Sequence, residues 1–399
     1  MRIVIVNSLS PEYGSTYRAR NLYKACGELG YTVTYLESNT TLSAKGVVNI
    51  SQEATLVGYL AASLKRAYVC FALSYDVAVI QKFTPLTLFA ILVVKLRRKR
   101  LIVDWDDLDS EFQKTPLRKI ILRILEHSIP PYIACIMTHS RYLMEYAKKS
   151  GARRVVMVPQ VVDTALFDAL PREGSPLHAR LPADKVIVSY LCTMTQGGAR
   201  DIEFIVRSYT IAQRSCGRLH LLLIGGGPSE SHIRLLLKKH KITEYTITGL
   251  LSQEEVAQHL FHSSVCLVYM KDDRGNKMRV SLKVLEYLAM EKKVVGSFTG
   301  ETKDTLADFC IEVKPASEEN FARAILSVIE QDDFVNKEGR EYIEKNYSFQ
   351  AMKTAIKNTL ENENFSRQSP KPPRLYGKPW FYGGVRHAPF CGRDYTASA

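Results

Sequence analysis

The sequence holds no apolar run long enough to cross a membrane. Its longest, Phe83–Val94, spans 12 residues with Thr84, Pro85 and Thr87 inside it, against the ~20 that a spanning helix requires. The first residues, MRIVIVNSLS, place one charge and four apolar residues before polar ones. That core is too short for a secretory signal, and the segment reads as a first β-strand. No Cys-x-x-Cys pair occurs among the eight cysteines, at positions 26, 70, 135, 192, 216, 266, 310 and 391. Most lie in apolar runs, which argues for reduced, buried thiols and a cytoplasmic protein rather than a metal site or a disulfide framework. Acids are the scarce charge: 41 Asp and Glu against 54 Lys and Arg give a net charge of +13. Such a surface attracts phosphates, nucleic acid or anionic lipid, and charge alone does not choose among them.

What is present is a patterned globular chain. Its 399 residues suffice for about two domains, and 46% hydrophobic with 24% charged residues excludes whole-chain disorder and a polytopic membrane protein. Short β-branched runs alternate with helical patterns to about residue 330. Strands are expected at Ile3–Val6, Thr32–Tyr35, Val77–Ile80, Leu101–Val103, Ile133–Met137 and Val155–Val158. A second set falls at Val186–Tyr190, Leu219–Ile224, Tyr245–Thr248, Val265–Tyr269, Lys293–Gly296 and Ile311–Val313. Helices are expected between them, among others at Tyr17–Glu28, Leu117–Glu126, Ile202–Gln213, Glu254–Phe261, Leu282–Met290 and Asn320–Glu330. This alternation predicts an α/β protein with parallel sheets covered on both faces.

The pattern breaks at 168–184, where three prolines and mixed charges interrupt two well-formed halves. It therefore predicts two doubly wound, Rossmann-like domains at 1–167 and 185–346, joined by a linker at 168–184, with a ligand cleft between them at the carboxyl ends of the strands. From 365 to 399 the composition changes to five prolines, four glycines, six Lys or Arg and one acid, the mark of an irregular basic tail.

Several positions carry chemistry. Gly14 and Ser15 open the first helix, where a small residue and free N–H groups suit a phosphate, and where Ser15 would equally serve as an ordinary cap. Gly225, Gly226 and Gly227 follow a strand, allowing a tight turn or a close approach to a nucleotide. Glu286 stands in an apolar helix, able to accept two ribose hydroxyls at once. Lys283 and Arg279 lie one and two turns before it, and with Arg200 they are candidates to meet a diphosphate or to be plain surface charges. Asp104, Asp106, Asp107 and Asp109 crowd a strand end, which raises at least one pKa unless the site uses them. One of them could orient an acceptor hydroxyl or take its proton, and capping of the next helix by Asp107 or Asp109 would account for only one. The bases of 95–100 and the basic amphipathic segment 116–125 could dock on anionic lipid, or simply be surface.

Five segments in order resemble the family-4 retaining glycosyltransferases of the GT-B fold: the opening strand, loop and helix to Glu37, VVMVPQVVDTALF at 155–167, LHLLLIGGGPSESHIRLLL, TITGLLSQEEVAQHLFHSSVCLVYM, and SLKVLEYLAMEKKVVGS at 281–297. The resemblance spans roughly residues 1–362. It implies an N-terminal acceptor-binding domain, a C-terminal domain binding a UDP- or GDP-sugar, and a helix at 347–364 crossing back to the first domain. The implied reaction moves the sugar, with retention, to a hydroxyl of a glycan or lipid-linked acceptor. Neither metal nor other cofactor is expected, the nucleotide-sugar being a co-substrate. The donor site would comprise Gly14, Ser15, Arg200, Gly225, Gly226, Gly227, Arg279, Ser281, Lys283 and Glu286, and the catalytic acids Asp106 and Asp107. The chain departs from the family at Met278, where a paired Glu is usual, at Asp106, where His is usual, at Gln160 and Val161, and after the first strand of the second domain. These departures leave open a catalytically silent GT-B protein acting as a membrane-associated partner in glycan assembly. A nucleic-acid binder would suit the charge, but no specific recognition motif for nucleic acid is present. The expected location is the cytoplasm, with peripheral attachment to the inner face of the membrane as an option.

Overall fold

A computed structural model describes residues 1–361 except 12, 169–180, 183, 196 and 332. Its strands sort into two sheets. The first holds β1 (Arg2–Val6), β2 (Thr32–Ser38), β3 (Val47–Ile50), β4 (Val77–Gln81), β5 (Arg100–Asp104), β6 (Cys135–Thr138) and β7 (Val155–Met157), in the order β3-β2-β1-β4-β5-β6-β7. The second holds β8 (Val186–Leu191), β9 (Leu219–Ile224), β10 (Tyr245–Ile247), β11 (Val265–Tyr269), β12 (Lys293–Ser297) and β13 (Ile311–Glu312), in the order β10-β9-β8-β11-β12-β13. Every pair is parallel. The α/β class and the doubly wound arrangement expected from the alternation are what the structure has.

Central strands such as β4 and β9 are buried along their whole length, and this is why they read as unbroken apolar runs rather than alternating ones. β3 is not announced by the pattern. It is a four-residue edge strand, Val47-Val48-Asn49-Ile50, interrupted by Asn49.

Each sheet is covered on both faces. On one side of the first sheet the helix Gly14–Glu28 packs with the final described helix, Phe349–Glu361, through Leu22, Cys26, Met352, Ile356 and Leu360. The last helix thus belongs to the core of the first domain, although the chain reaches it from the second. The other side takes the helices Leu56–Ala72, Pro85–Leu96 and Arg141–Lys149, through Ala62, Cys70, Ile91, Val94 and Leu143. Two further clusters flank the second sheet. Most of the expected linker, 168–184, and all of the tail, 365–399, lie outside the described residues.

Strand order reverses between β1 and β4 and again between β8 and β11, which opens a crevice at the carboxyl end of each sheet. The two carboxyl edges meet. Ser140, after β6, donates from Oγ to the carbonyl of Met278. Glu301, after β12, accepts from the Arg141 amide at 2.8 Å and from Arg141 Nε at 3.1 Å. Asp304 accepts from the Tyr142 hydroxyl at 3.0 Å.

Candidate functional site

The four carboxylates at the end of β5 do not cap a helix. Asp104 is the last residue of β5 and Asp109 the first of a single turn of 3-10 helix, Asp109–Phe112, that has no side-chain cap. They are ordered instead by two buried cations from other elements. The Arg18 guanidinium forks onto Asp104, with Nε 2.9 Å from Oδ2 and Nη2 2.7 Å from Oδ1, and both side chains are sealed from solvent. Lys82, the residue after β4, is equally buried, and its Nζ lies 3.0 Å from Asp106, 2.9 Å from Asp109 and 3.6 Å from Asp107. Its φ is +69°, a left-handed conformation that costs a lysine roughly 1 kcal/mol and that surrounding contacts must hold. Its amide donates to the carbonyl of Asp104 at 2.9 Å.

Charge in this pocket is set by burial against Lys82. Burial pushes the Asp109 carboxyl up to about 7, Lys82 opposing and the neighbouring Asp106 and Asp107 reinforcing it. Burial would raise Asp106 as well, but Lys82 and the bonds from Ser15 and Lys82 outweigh it and keep that carboxyl low. Burial and the Arg18 charge hold His139 below its ordinary value, so it is neutral at pH 7. Its Nε2–H donates to the Asp106 carbonyl at 2.6 Å, and its Nδ1 is buried with no partner among the described residues. Trp105, fully buried, donates from Nε1 to the Asp107 carbonyl at 2.8 Å and stacks edge-on with Phe83, which fixes the loop bearing Asp107.

Across the cleft, Glu286 sits on the helix Leu282–Ala289, 4% exposed. Burial pushes its carboxyl up to about 8, with only Lys283 opposing, and no hydrogen bond or ion pair reaches it among the described residues. A buried carboxyl with open acceptor capacity is costly unless a ligand completes it. Lys283 donates to the Tyr190 hydroxyl at 3.2 Å and lies 4.4 Å from that ring's centre. Burial lowers its pKa, against the pull of Cys192, Asp201 and Glu286. Arg279 donates to Asn276 Oδ1 at 2.8 Å and stacks 5.2 Å over Phe112 of the first domain, its Nε buried with no partner among the described residues. The first domain answers with Tyr17, whose hydroxyl is pushed up to about 12 by burial and then by the Glu286 charge. Tyr17, in the first turn of the helix Gly14–Glu28, therefore lies within electrostatic reach of Glu286.

Residues 186–331, from β8 to the helix Glu318–Gln331, match the family of glycosyl transferases group 1. No curated protein matches the chain. Among solved structures, a sucrose-phosphate synthase of Thermosynechococcus elongatus superposes with a TM-score of 0.72 at 15% identity, over 90% of this chain and 98% of that one. HepE of Anabaena, solved with UDP-glucose, gives 0.71 at 12% identity over 90% and 99%. The chain has the GT-B fold. A protein assigned as a UDP-N-acetylglucosamine 2-epimerase of Listeria monocytogenes gives 0.64 at 13% identity over 90% and 96%. The GT-B fold therefore does not choose the reaction by itself.

Of the expected residues, Glu286, Lys283 and Arg279 come together at the carboxyl edge of the second sheet, joined by Asp201 and, from the first domain, Tyr17, neither of which was expected. Ser15 does not cap its helix. Tyr13 holds the cap position without a side-chain bond, and the Ser15 hydroxyl instead donates to Asp107 Oδ2 at 3.4 Å. Gly225, Gly226 and Gly227 form a loop closed onto residues 192–194: a Cβ on Gly225 would stand 1.8 Å from the Cys192 carbonyl, and φ is +131° there and +148° at Gly227. Part of their purpose is thus this backbone contact. Arg200 is exposed on the first turn of the helix Gly198–Ser215 and pairs with no acid among the described residues. Ser281 stands at the start of the Glu286 helix, its amide bonded to Thr302. Asp106 is 3% exposed and committed to Lys82, whereas Asp107 keeps partial access to the cleft. Met278 packs against the core of the first domain, where the resemblance would place a sugar-binding Glu. Sequence reasoning missed Lys82, Arg18, His139 and Tyr17; a strand-end position beside the β1–β4 reversal was the available signal for Lys82.

Proposed function

We propose that the chain is a glycosyltransferase that takes a sugar from a UDP- or GDP-sugar and places it on a hydroxyl of a glycan or lipid-linked acceptor, with retention. The observation that carries this reading is Glu286, a buried carboxyl with no partner among the described residues, on the domain that matches the group 1 glycosyl transferases and within electrostatic reach of Tyr17 in the first turn of the other domain's first helix. The ribose diol of a nucleotide would supply the two donors this carboxyl lacks, binding its ionised form. The solved Anabaena relative holds UDP-glucose in this fold.

In this reading Lys283, Arg279 and Arg200, with the helix terminus at Gly14 and Ser15, balance the charge of the departing diphosphate without a metal. The bond from the sugar's anomeric carbon to the diphosphate oxygen breaks, the acceptor oxygen bonds to that carbon, and the acceptor's proton leaves. Asp107 orients the acceptor hydroxyl and takes the proton directly or through the departing phosphate. Asp106, Lys82 and His139 position the loop. The site of action is the cytoplasm, including its membrane surface.

Met278 favours one other reading, a silent GT-B partner in glycan assembly, because its side chain is committed to the first domain's core. Release of nucleoside diphosphate from UDP- and GDP-sugars separates the two. The transferase reading expects steady release that Asp107→Asn lowers about a hundredfold or more. Tight nucleotide binding without release would support the silent partner.

A further inference from the structure

The helices Leu56–Ala72, Pro85–Leu96 and Pro116–Ser128 expose large apolar side chains at helical spacing on the outside of the first domain. On the first of them Leu56, Leu60, Leu64, Tyr68 and Phe71 form a stripe at intervals of four or three residues, and Leu56 is 87% exposed. The next helix, packed directly against it, adds Leu92 and Leu96, the latter 82% exposed. The third adds Leu117, Ile120 and Ile124. The inward residues of the first two helices, Ala62, Cys70, Ile91 and Val94, already fill the core on that face of the sheet, so the outward stripes are surplus to folding. The first two helices, packed together, present an apolar surface of the extent that marks an interaction site.

Charge identifies the occupant. Residues 54–75 and 77–103 contain no acid at all. Not every base there is available, however. Lys95 donates to the Tyr132 carbonyl, Arg97 to the carbonyls of Cys70 and Leu73, and Arg100 to those of Thr359 and Leu360. Lys119 and Arg123 both pair with Glu111. The expected basic clusters at 95–100 and 116–125 are thus largely committed to holding the fold, while Lys65 on the first helix, Arg98 just after the second and Arg118 on the third stay exposed. Acids stand only at its ends, Glu53 beside the first turn of the helix Leu56–Ala72 and Asp76, paired with Arg2, beyond its last; a water-exposed apolar face with exposed cations and no acid along its length is complementary to a lipid surface bearing negative headgroups.

We propose that the face formed by the helices Leu56–Ala72 and Pro85–Leu96 docks the first domain on an anionic bilayer, the helix Leu56–Ala72 resting among the headgroups and Arg98 meeting their charge. The acceptor domain would then work at the membrane surface, which is where a lipid-linked hydroxyl is presented. The docking stands on its own observations and does not require the transferase reading.

Sedimentation of the full chain with vesicles of phosphatidylcholine, with and without about one-third phosphatidylglycerol, tests it. The wild type should pellet with the anionic vesicles and less with neutral ones, increasingly so as salt falls. Leu60→Asp with Leu64→Asp, at exposed positions and with an unchanged thermal midpoint, should lower the partition by about tenfold or more. Arg98→Glu should reduce binding to the anionic vesicles and weaken its salt dependence. A wild type that stays in the supernatant overturns the proposal, as does a double variant that binds like the wild type. A wild type that is dimeric without lipid, and that the double variant converts to monomer, assigns the face to a second copy and overturns it as well.

Discussion

Replacing Glu286 with Gln separates what this carboxyl costs from what it does. Its pKa is raised by folding, from an ordinary 4.5 to about 8, by burial. The folded state therefore binds the proton more tightly than the unfolded state. Stability is complete below about pH 4.5 and is lost as pH rises toward 8, at ~1.4 kcal/mol per pH unit. Keeping a titratable acid at this position thus costs roughly 1 kcal/mol at pH 5.5 and roughly 3 kcal/mol at pH 7, as upper bounds, and the cost levels off above pH 8. Gln has nearly the same shape and does not titrate, so Glu286→Gln should be more stable than the wild type by a margin that widens with pH over that interval. Urea midpoints of both proteins at pH 5.5, 7 and 8.5, with unchanged slopes, measure it. Nucleotide binding should move the other way. The wild type must lose a proton to accept the ribose, so its affinity rises with pH toward 8, whereas the variant binds weakly at every pH. A margin that stays constant from pH 5.5 to 8.5 would refute the reasoning, because Glu286 would then titrate as an ordinary surface acid.

Arg18→Met should destabilise the first domain by roughly 3–5 kcal/mol, since it strands the buried Asp104 carboxylate; chemical denaturation at pH 7 measures it. Lys82→Met should be similarly costly at pH 8 and less so at pH 5. Without the cation the pKa of Asp106 is raised in the folded state, so stability is lost as pH rises, and denaturation at the two pH values shows the sign. Gly225→Ala should cost roughly 3 kcal/mol or more by thermal unfolding, because its Cβ would meet the Cys192 carbonyl at 1.8 Å. Asp107→Asn, half-buried and outside the Arg18–Asp104 pair, should leave the melting temperature within a few degrees of the wild type while turnover falls.

The strands were legible because parallel strands buried on both faces are compact apolar runs; all but β3 could be placed, β2 ending three residues beyond the expected Tyr35 and the others within two. The segment 56–72 was harder for an opposite reason. Its outward face is as apolar as its inward one, so no polar stripe marks the helical period, and the same property makes it the candidate docking surface. Glu286 was legible because a carboxylate inside an apolar helix is anomalous on sight. The role of Lys82 was not. Its neighbours in sequence are strand residues, and only the fold brings it to carboxylates more than twenty residues away. The four acids likewise suggested crowding and catalysis, yet two of them, Asp104 and Asp106, neutralise buried cations that no sequence spacing reveals. Bases at 95–100 looked free for the same reason: their carbonyl partners lie on other helices.

The most direct measurement is the thermal midpoint of the purified chain against UDP, GDP, ADP and CMP, beside Glu286→Ala. Saturable stabilisation by UDP or GDP, about 2.7 kcal/mol at a hundredfold excess over Kd, and its loss in the variant are the predicted result. If no nucleotide shifts the wild type, or if the variant responds as the wild type does, Glu286 holds no ribose and the nucleotide-sugar reading of the cleft is contradicted.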